Sequence, residues 1–209
     1  MQNNNLNVEK IDINEVIAPK WQTNPDMHVW YLANMEEAGI YGACKATWQD
    51  ENDSYYNASV PALGGFLTYP ELQPRSTWWV MKAYADIVGD LVYVEPDSTM
   101  EGIAGIDEES KTLRMLLGRS WHGSEKDEVI VKNLDQVSRL DGADSTHIVA
   151  KQIPNSGWDP LIAPNIIMDD QVSIQQNVLR LRFPEFGDYE ALYIELKASI
   201  PLKFIVGIS

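Results

Sequence analysis

The run Ile11-Asp12-Ile13-Asn14-Glu15 alternates apolar and polar side chains, ends on a carboxylate, and is followed by a loop carrying Pro19 and Pro25. That pattern reads as a strand that delivers an acid at its end and then stops. Carboxylates placed this way, with a crossover helix behind them, line the C-terminal mouth of parallel-sheet barrels. Glu15 is therefore the first candidate for chemistry. A second short strand ends at Trp48, and Asp50 and Glu51 follow it closely.

The elements that must hold these residues alternate in type. Met27 to Ala38 sets Trp30, Met35 and Ala38 among polar residues and reaches Gly39 where a helix would close in a left-handed cap. Tyr41 to Trp48 reads as the second strand. Pro74 suits the first turn of a further helix that closes at Gly89. On that helix Trp78, Met81, Ala85 and Val88 form one stripe and Val80, Tyr84 and Ile87 another. A helix apolar on two sides must be covered on two sides. The order β, α, β, α is that of a barrel nearly finished where this chain begins.

Near residue 90 the pattern changes to short alternating segments punctuated by Gly, Pro, Asn and Asp. Asp90 to Val94, Thr112 to Leu117, Glu128 to Lys132, His147 to Gln152, Ser173 to Arg182 and Tyr189 to Leu196 read as strands, and their number and spacing predict an antiparallel β-sandwich. The chain is thus α/β plus all-β, divided at residues 89 and 90.

Composition bounds the function. With 209 residues and 44% apolar content the chain can bury a real core. A formal net charge of -15 opposes nucleic-acid binding, which needs Lys and Arg to displace counterions, and disfavours anionic membranes. No window of about 18 uncharged apolar residues exists, and Met1 to Asn5 lacks the regions of a secretory signal. One cysteine, Cys44, excludes an internal disulfide framework and any zinc cluster of cysteine pairs, and leaves the compartment open.

Several of these residues carry a resemblance. Ile13-Asn14-Glu15, then Trp30-Tyr31-Leu32 with Glu36-Glu37-Ala38-Gly39, then Ala46-Thr47-Trp48, then Trp78-Trp79-Val80-Met81-Lys82-Ala83-Tyr84-Ala85-Asp86 before Gly89, resemble the last quarter of a clan A glycoside hydrolase barrel, most closely family 39. The resemblance implies that residues 1–89 are the last two β/α units of a (β/α)8 barrel and 90–209 the sandwich that follows it. It implies that Glu15 corresponds to the nucleophilic glutamate ending the seventh strand, and Trp48 to the tryptophan under the sugar at the end of the eighth. Asp50 and Glu51 are then placed to hydrogen-bond sugar hydroxyls. A retaining glycosidase also needs a second, protonated carboxyl about 5 Å from the nucleophile. In the family that acid ends the fourth strand, and nothing here corresponds to the first six strands. No cofactor or metal is implied, and an extracellular setting is.

Each of these residues also has a plainer reading. Glu15 can be an ordinary loop carboxylate, and Asp50 with Glu51 a solvated turn. Trp78 and Trp79 read as core aromatics. Trp121 and Trp158 sit in Gly- and Ser-rich turns, where they serve either as glycan platforms or as plugs holding a loop on the sheet. His28, His122 and His147 are too scattered to form a metal site by spacing and read as local hydrogen-bonding groups. Asp169, Asp170 and Asp188 offer calcium ligands or a solvated acidic face. Cys44 reads as a buried, inert thiol.

Three functions follow as expectations. The chain is the C-terminal portion of a retaining glycoside hydrolase, inactive alone because the acid/base half of the barrel lies elsewhere. Or it is a carbohydrate-binding module using Trp48, Trp121 or Trp158 without chemistry. Or it is an assembly protein whose open barrel edge pairs with a second copy or a complementary chain.

Overall fold

A computed structural model of the chain describes residues 10–46, 61–97, 99–119, 128–137, 140, 142–183 and 187–197. Trp48, Asp50, Glu51, Trp121 and His122 lie outside the described residues.

Strand β1 (Asp12–Val16), helix α1 (Pro25–Glu37), strand β2 (Gly42–Lys45) and helix α2 (Ser76–Asp86) follow in the expected order. β1 and β2 pair in parallel as a two-stranded sheet. Helix α1 closes as the sequence predicts. Gly39 takes φ +64, its N–H bonds to the carbonyl of Glu36 at 3.0 Å, and Ile40 N–H reaches Met35 at 2.9 Å, the paired bonds of a Schellman cap. Pro74 falls before the cap residue Arg75 of α2 rather than in its first turn.

Eight further strands follow: β3 (Asp90–Val92), β4 (Met100–Asp107), β5 (Thr112–Arg119), β6 (Glu128–Val131), β7 (Ser145–Ile153), β8 (Asn165–Ser173), β9 (Leu179–Arg182) and β10 (Ala191–Lys197). Six of them form an antiparallel sheet in the order β3-β4-β5-β10-β7-β8, and β6 pairs with β9. This mostly antiparallel architecture, after one parallel βαβα stretch, is compatible with a partial barrel plus a sandwich. Among the described residues no helix is long and apolar enough to cross a membrane.

The strands at the centre of the six-stranded sheet are buried on both faces, which is why Ala191-Leu192-Tyr193-Ile194 reads as a nearly continuous apolar run. Leu113, Met115 and Leu117 of β5 and Leu192, Ile194 and Leu196 of β10 pack with Leu179 and Leu181 of β9. The residues of opposite parity, Leu116 and Tyr193, pack instead with Val29 and Leu32 of α1 and Val80 and Ala83 of α2. The helices and the large sheet therefore share one core. The second stripe expected on α2 holds, since Val80, Tyr84 and Ile87 join this core; of the first, Ala85 and Val88 are exposed.

Two strands were not legible in sequence. β4 carries Gly102 and Gly105, poor strand residues that the packing requires. A Cβ on Gly102 would collide with the Leu117 side chain, and one on Gly105 would come 2.8 Å from Cγ2 of Ile87 just beyond α2. The expected strand Ser173 to Arg182 is instead the end of β8, a tight turn with Gln176 and Asn177 at positive φ, and β9. Gly89, at φ +90, sits so close to the backbone carbonyl of Ile106 that no side chain fits there.

Candidate active site

Glu15 does not simply end a regular strand. The parallel register runs Asp12 to Gly42, Ile13 to Ala43 and Asn14 to Cys44, then jumps so that Val16 faces Lys45. Glu15 is the extra residue of this bulge and has no partner across the pair. Its φ is +63, and two residues later Ile17 has φ +71. Positive φ is uncommon for any side-chain-bearing residue and a genuine outlier for a β-branched one, and each costs on the order of 1–3 kcal/mol. The bulge breaks the alternation that would put Glu15 on the same face as Ile13. Val16 and Ile17 are buried while Glu15 stays exposed, so the backbone is held from below and the carboxylate is left in the open. Asp12, Asn14, Ala43 and Cys44 are also exposed, and among the described residues no third strand joins the pair. Cys44 is accordingly not the buried thiol expected from sequence: it is exposed, and among the described residues no further strand pairs with β1 or β2.

Next to this pair, half-buried Lys45 at the end of β2 and buried Arg75 before α2 hold the turn at Gly64 and Gly65. Lys45 Nζ donates to the carbonyls of Ala46 at 3.1 Å and Gly64 at 2.8 Å, and lies 5.1 Å from the centre of the Phe66 ring. Burial, then the nearby Arg75, bring its pKa down to about 8. Arg75 is 1% exposed; NH1 donates to the carbonyl of Gly65 at 2.9 Å and Nε to that of Trp158 at 2.8 Å. Its guanidinium lies 4.8 Å from the centre of the Trp158 ring. Trp158 thus locks its loop onto Arg75 before α2 rather than onto the sheet, where its plainer reading had it. Ser76 Oγ, 2.6 Å from the carbonyl of Pro154, and Trp79 Nε1, donating to the carbonyl of Leu161 at 2.7 Å, complete the junction.

Behind the strand pair, His28 is fully buried. Its Nε2 lies 3.1 Å from the carbonyl of Gln22, and since a carbonyl only accepts, Nε2 carries the proton. Nδ1 is then a bare acceptor, and it is buried without a partner. Burial, followed by the Lys45 charge, pushes the His28 pKa down to about 3, so the ring is neutral. The local hydrogen bond expected of His28 is present; its burial is the unexpected part. Asp26, 1% exposed, has both carboxylate oxygens buried without a partner in hydrogen-bond geometry, and Gln22 likewise has both amide atoms unpaired. Burial pushes the Asp26 pKa up to about 7; the backbone N–H groups of Met27 and Asp26 pull the other way, and the Asp188 charge adds to the rise. A buried polar group left unmatched costs about 1–3 kcal/mol.

The remaining acids and histidine are dispersed. His147 Nε2 lies 2.9 Å from Oδ1 of Asp169 across β7 and β8, while Asp188 is near Asp26 at the start of α1. Among the described residues no group of three His, Cys, Asp or Glu could hold a metal ion. Sequence reading missed Lys45, Arg75 and Asp26; a lysine closing a strand was the one available signal.

No family model matches the chain, and no curated protein matches it in sequence. Solved structures match it in fold. N2152 from Neocallimastix frontalis aligns over 91% of this chain and 45% of its own, at TM-score 0.76 and 19% identity. A glucosidase from Croceicoccus marinus aligns over 90% and 46%, at TM-score 0.56 and 12% identity. The GH39 enzyme from Xanthomonas axonopodis pv. citri aligns over 90% and 44%, at TM-score 0.54 and 9% identity. The fold is therefore one that glycoside hydrolases use. The chain spans less than half the length of these three structures.

Proposed function

We propose that this chain is a portion of a retaining glycoside hydrolase in which Glu15 is the nucleophile. The observation that carries the reading is the bulge at Glu15: an exposed carboxylate, raised on strained backbone at the end of a parallel strand, in a fold shared with glycosidases. Strain of this kind persists where the surroundings over-determine it, and it clusters at functional sites. In the proposed reaction the Glu15 carboxylate attacks the anomeric carbon as the bond to the leaving oxygen breaks. A second carboxyl protonates that oxygen, and water then cleaves the glycosyl ester with the second residue acting as base. That second carboxyl belongs to the part of the fold this chain does not span, so the chain alone is inactive. Trp48 would stack under the sugar, with Asp50 and Glu51 on its hydroxyls. Membership of family 39 is the finer form of the same proposal.

One observation favours a second reading. Among the described residues no further strand pairs with β1 or β2, and residues of both strands are exposed; such a surface recruits further strands. A non-catalytic module that assembles with a second copy or a complementary chain would use it.

The test is hydrolysis of a panel of aryl β-glycosides by the purified chain, beside Glu15→Gln, with the mass in solution measured in parallel. No turnover from a monomer fits the portion of an enzyme. Turnover abolished by Glu15→Gln would mean that a complete site assembles. An inactive, defined oligomer would transfer the weight to assembly.

A further inference from the structure

β3 closes one side of the six-stranded sheet, and among the described residues no strand pairs with its outer side. Natural edges are commonly blunted by lysine or proline, which discourage a further strand. This edge instead runs Leu91-Val92-Tyr93, which are 54%, 37% and 80% exposed. Contiguous apolar exposure of this kind marks an interaction site. A groove of about 260 Å³ follows the edge between β3, β4 and α1. Leu91, Tyr93 and Ile103 give it apolar walls, and Glu36, Glu37 and Glu101 give it three carboxylates. Neutral donors hold two of these: the Tyr84 hydroxyl on Glu36, and the Asn34 amide on Glu101 at 2.9 Å. Among the described residues no Lys or Arg lines the groove, so its lining carries no cation against the three acids. Small-molecule pockets run to roughly 300–1,000 Å³, so this groove suits one or two side chains of a longer ligand.

We propose that β3 and this groove dock an extended segment of another polypeptide in which Arg or Lys alternates with apolar residues. The segment adds a strand beside β3, and its side chains then fall on two faces in turn. The basic ones lie in the groove against Glu37 and Glu101, and the apolar ones meet Val92 on the other face. Charge selects this occupant. A second copy pairing through its own β3 would bring the same carboxylates together, and an acidic segment would be repelled in the same way. The edge is short, so backbone pairing alone is weak and the carboxylates set the preference. The assignment does not depend on whether Glu15 acts as a nucleophile.

The experiment is a fluorescence-anisotropy titration of the whole chain at pH 7 with labelled acetyl-Arg-Val-Arg-Val-Arg-Val-amide. Two peptides of equal length serve as controls: one with Glu in place of Arg, and one N-methylated at every residue, which keeps the charges but has no backbone N–H to donate. The expected result is saturable binding of the first peptide, at least about tenfold tighter than of either control. Glu37→Gln combined with Glu101→Gln weakens it about five- to tenfold, as the loss of two partly exposed ion pairs would. Asp170→Asn on β8, the opposite edge of the sheet, leaves it unchanged. Should the double variant not fold, amide hydrogen exchange in the unaltered chain decides the matter: the peptide slows the β3 amides that point away from β4 and not those of β8. Absence of saturable binding, equal binding of either control peptide, or an equal loss in Asp170→Asn would each overturn the assignment. So would β3 amides that exchange as slowly in the free chain as those of β10, because a second copy or another segment of this chain would then already cover the edge.

Discussion

Arg75 donates to the backbone carbonyl of Trp158 at 2.8 Å and stacks its guanidinium on the indole of the same residue, across 83 positions of sequence. Lysine cannot reproduce this, having a point charge in place of a planar fork. Arg75→Lys is expected to lower unfolding stability by about 2–4 kcal/mol, because the carbonyls of Gly65 and Trp158 lose a buried partner. The midpoint of urea denaturation measures it. A change below about 0.5 kcal/mol would mean that the junction is held mainly by α2 and its Ser76 and Trp79 contacts.

Glu15 predicts the opposite sign. A residue held at φ +63 is relieved by glycine, so Glu15→Gly should raise stability by roughly 0.5–1 kcal/mol while removing the proposed nucleophile. Thermal melts of Glu15→Gly and Glu15→Ala separate the effects, since Ala keeps the Cβ and the strain. Equal melting temperatures would show that the backbone there is not strained.

Asp26 and His28 pull stability in opposite directions with pH. The Asp26 pKa is raised from 3.8 to about 7, so the stability tied to its proton is complete below pH 3.8 and is lost as pH rises through 7. The His28 pKa is lowered from 6.5 to about 3, so its contribution is complete above pH 6.5 and is lost as pH falls through 3. Between about pH 4 and 6.5 folding takes up one proton at Asp26 and releases one at His28, and the slopes cancel. Asp26→Asn should therefore lose stability on acidification from pH 6.5 to 4.5, and His28→Gln should gain it on acidification from pH 7 to 4.5. Denaturation midpoints across that range test both signs. Parallel profiles for the two variants would contradict the opposition.

Gly118 is where α1 meets β5. A methyl group there would stand 2.8 Å from the Asp26 carbonyl oxygen and 2.8 Å from Cβ of Val29, both in α1. Gly118→Ala must push the helix off the sheet, and a loss of about 1–3 kcal/mol is expected from such overpacking. Hydrogen exchange of α1 amides, accelerated relative to those of β10, would localise the damage; uniform exchange would refute a local cause.

Much of the fold was legible because its signals are local. The alternation in β1, the Gly39 cap of α1, and the apolar runs of β5 and β10 each follow from a periodicity or a single residue. β4 was not legible, because Gly102 and Gly105 weaken a strand in isolation and are required only once Leu117 and Ile87 press against them. The site shows the same division. A carboxylate ending an alternating run pointed to Glu15, yet no pattern announced that Lys45 and Arg75 would clamp successive carbonyls of one turn, or that His28 and Asp26 would be buried.

By itself the sequence determined the β, α, β, α order of the first half, a carboxylate near the end of its first strand, and an acidic composition that opposes nucleic-acid binding. These rest on near-neighbour spacing and on net charge, which need no folded chain. Tertiary structure alone decided that Glu15 would be the unpaired residue of a bulge, that Cys44 would be exposed, and that Trp158 would join two distant segments through Arg75. It also decided that His28 would be fully buried with one ring nitrogen unmatched. Each of these is a relation between segments far apart in the chain, set by what packs against what, and residue spacing carries no record of it.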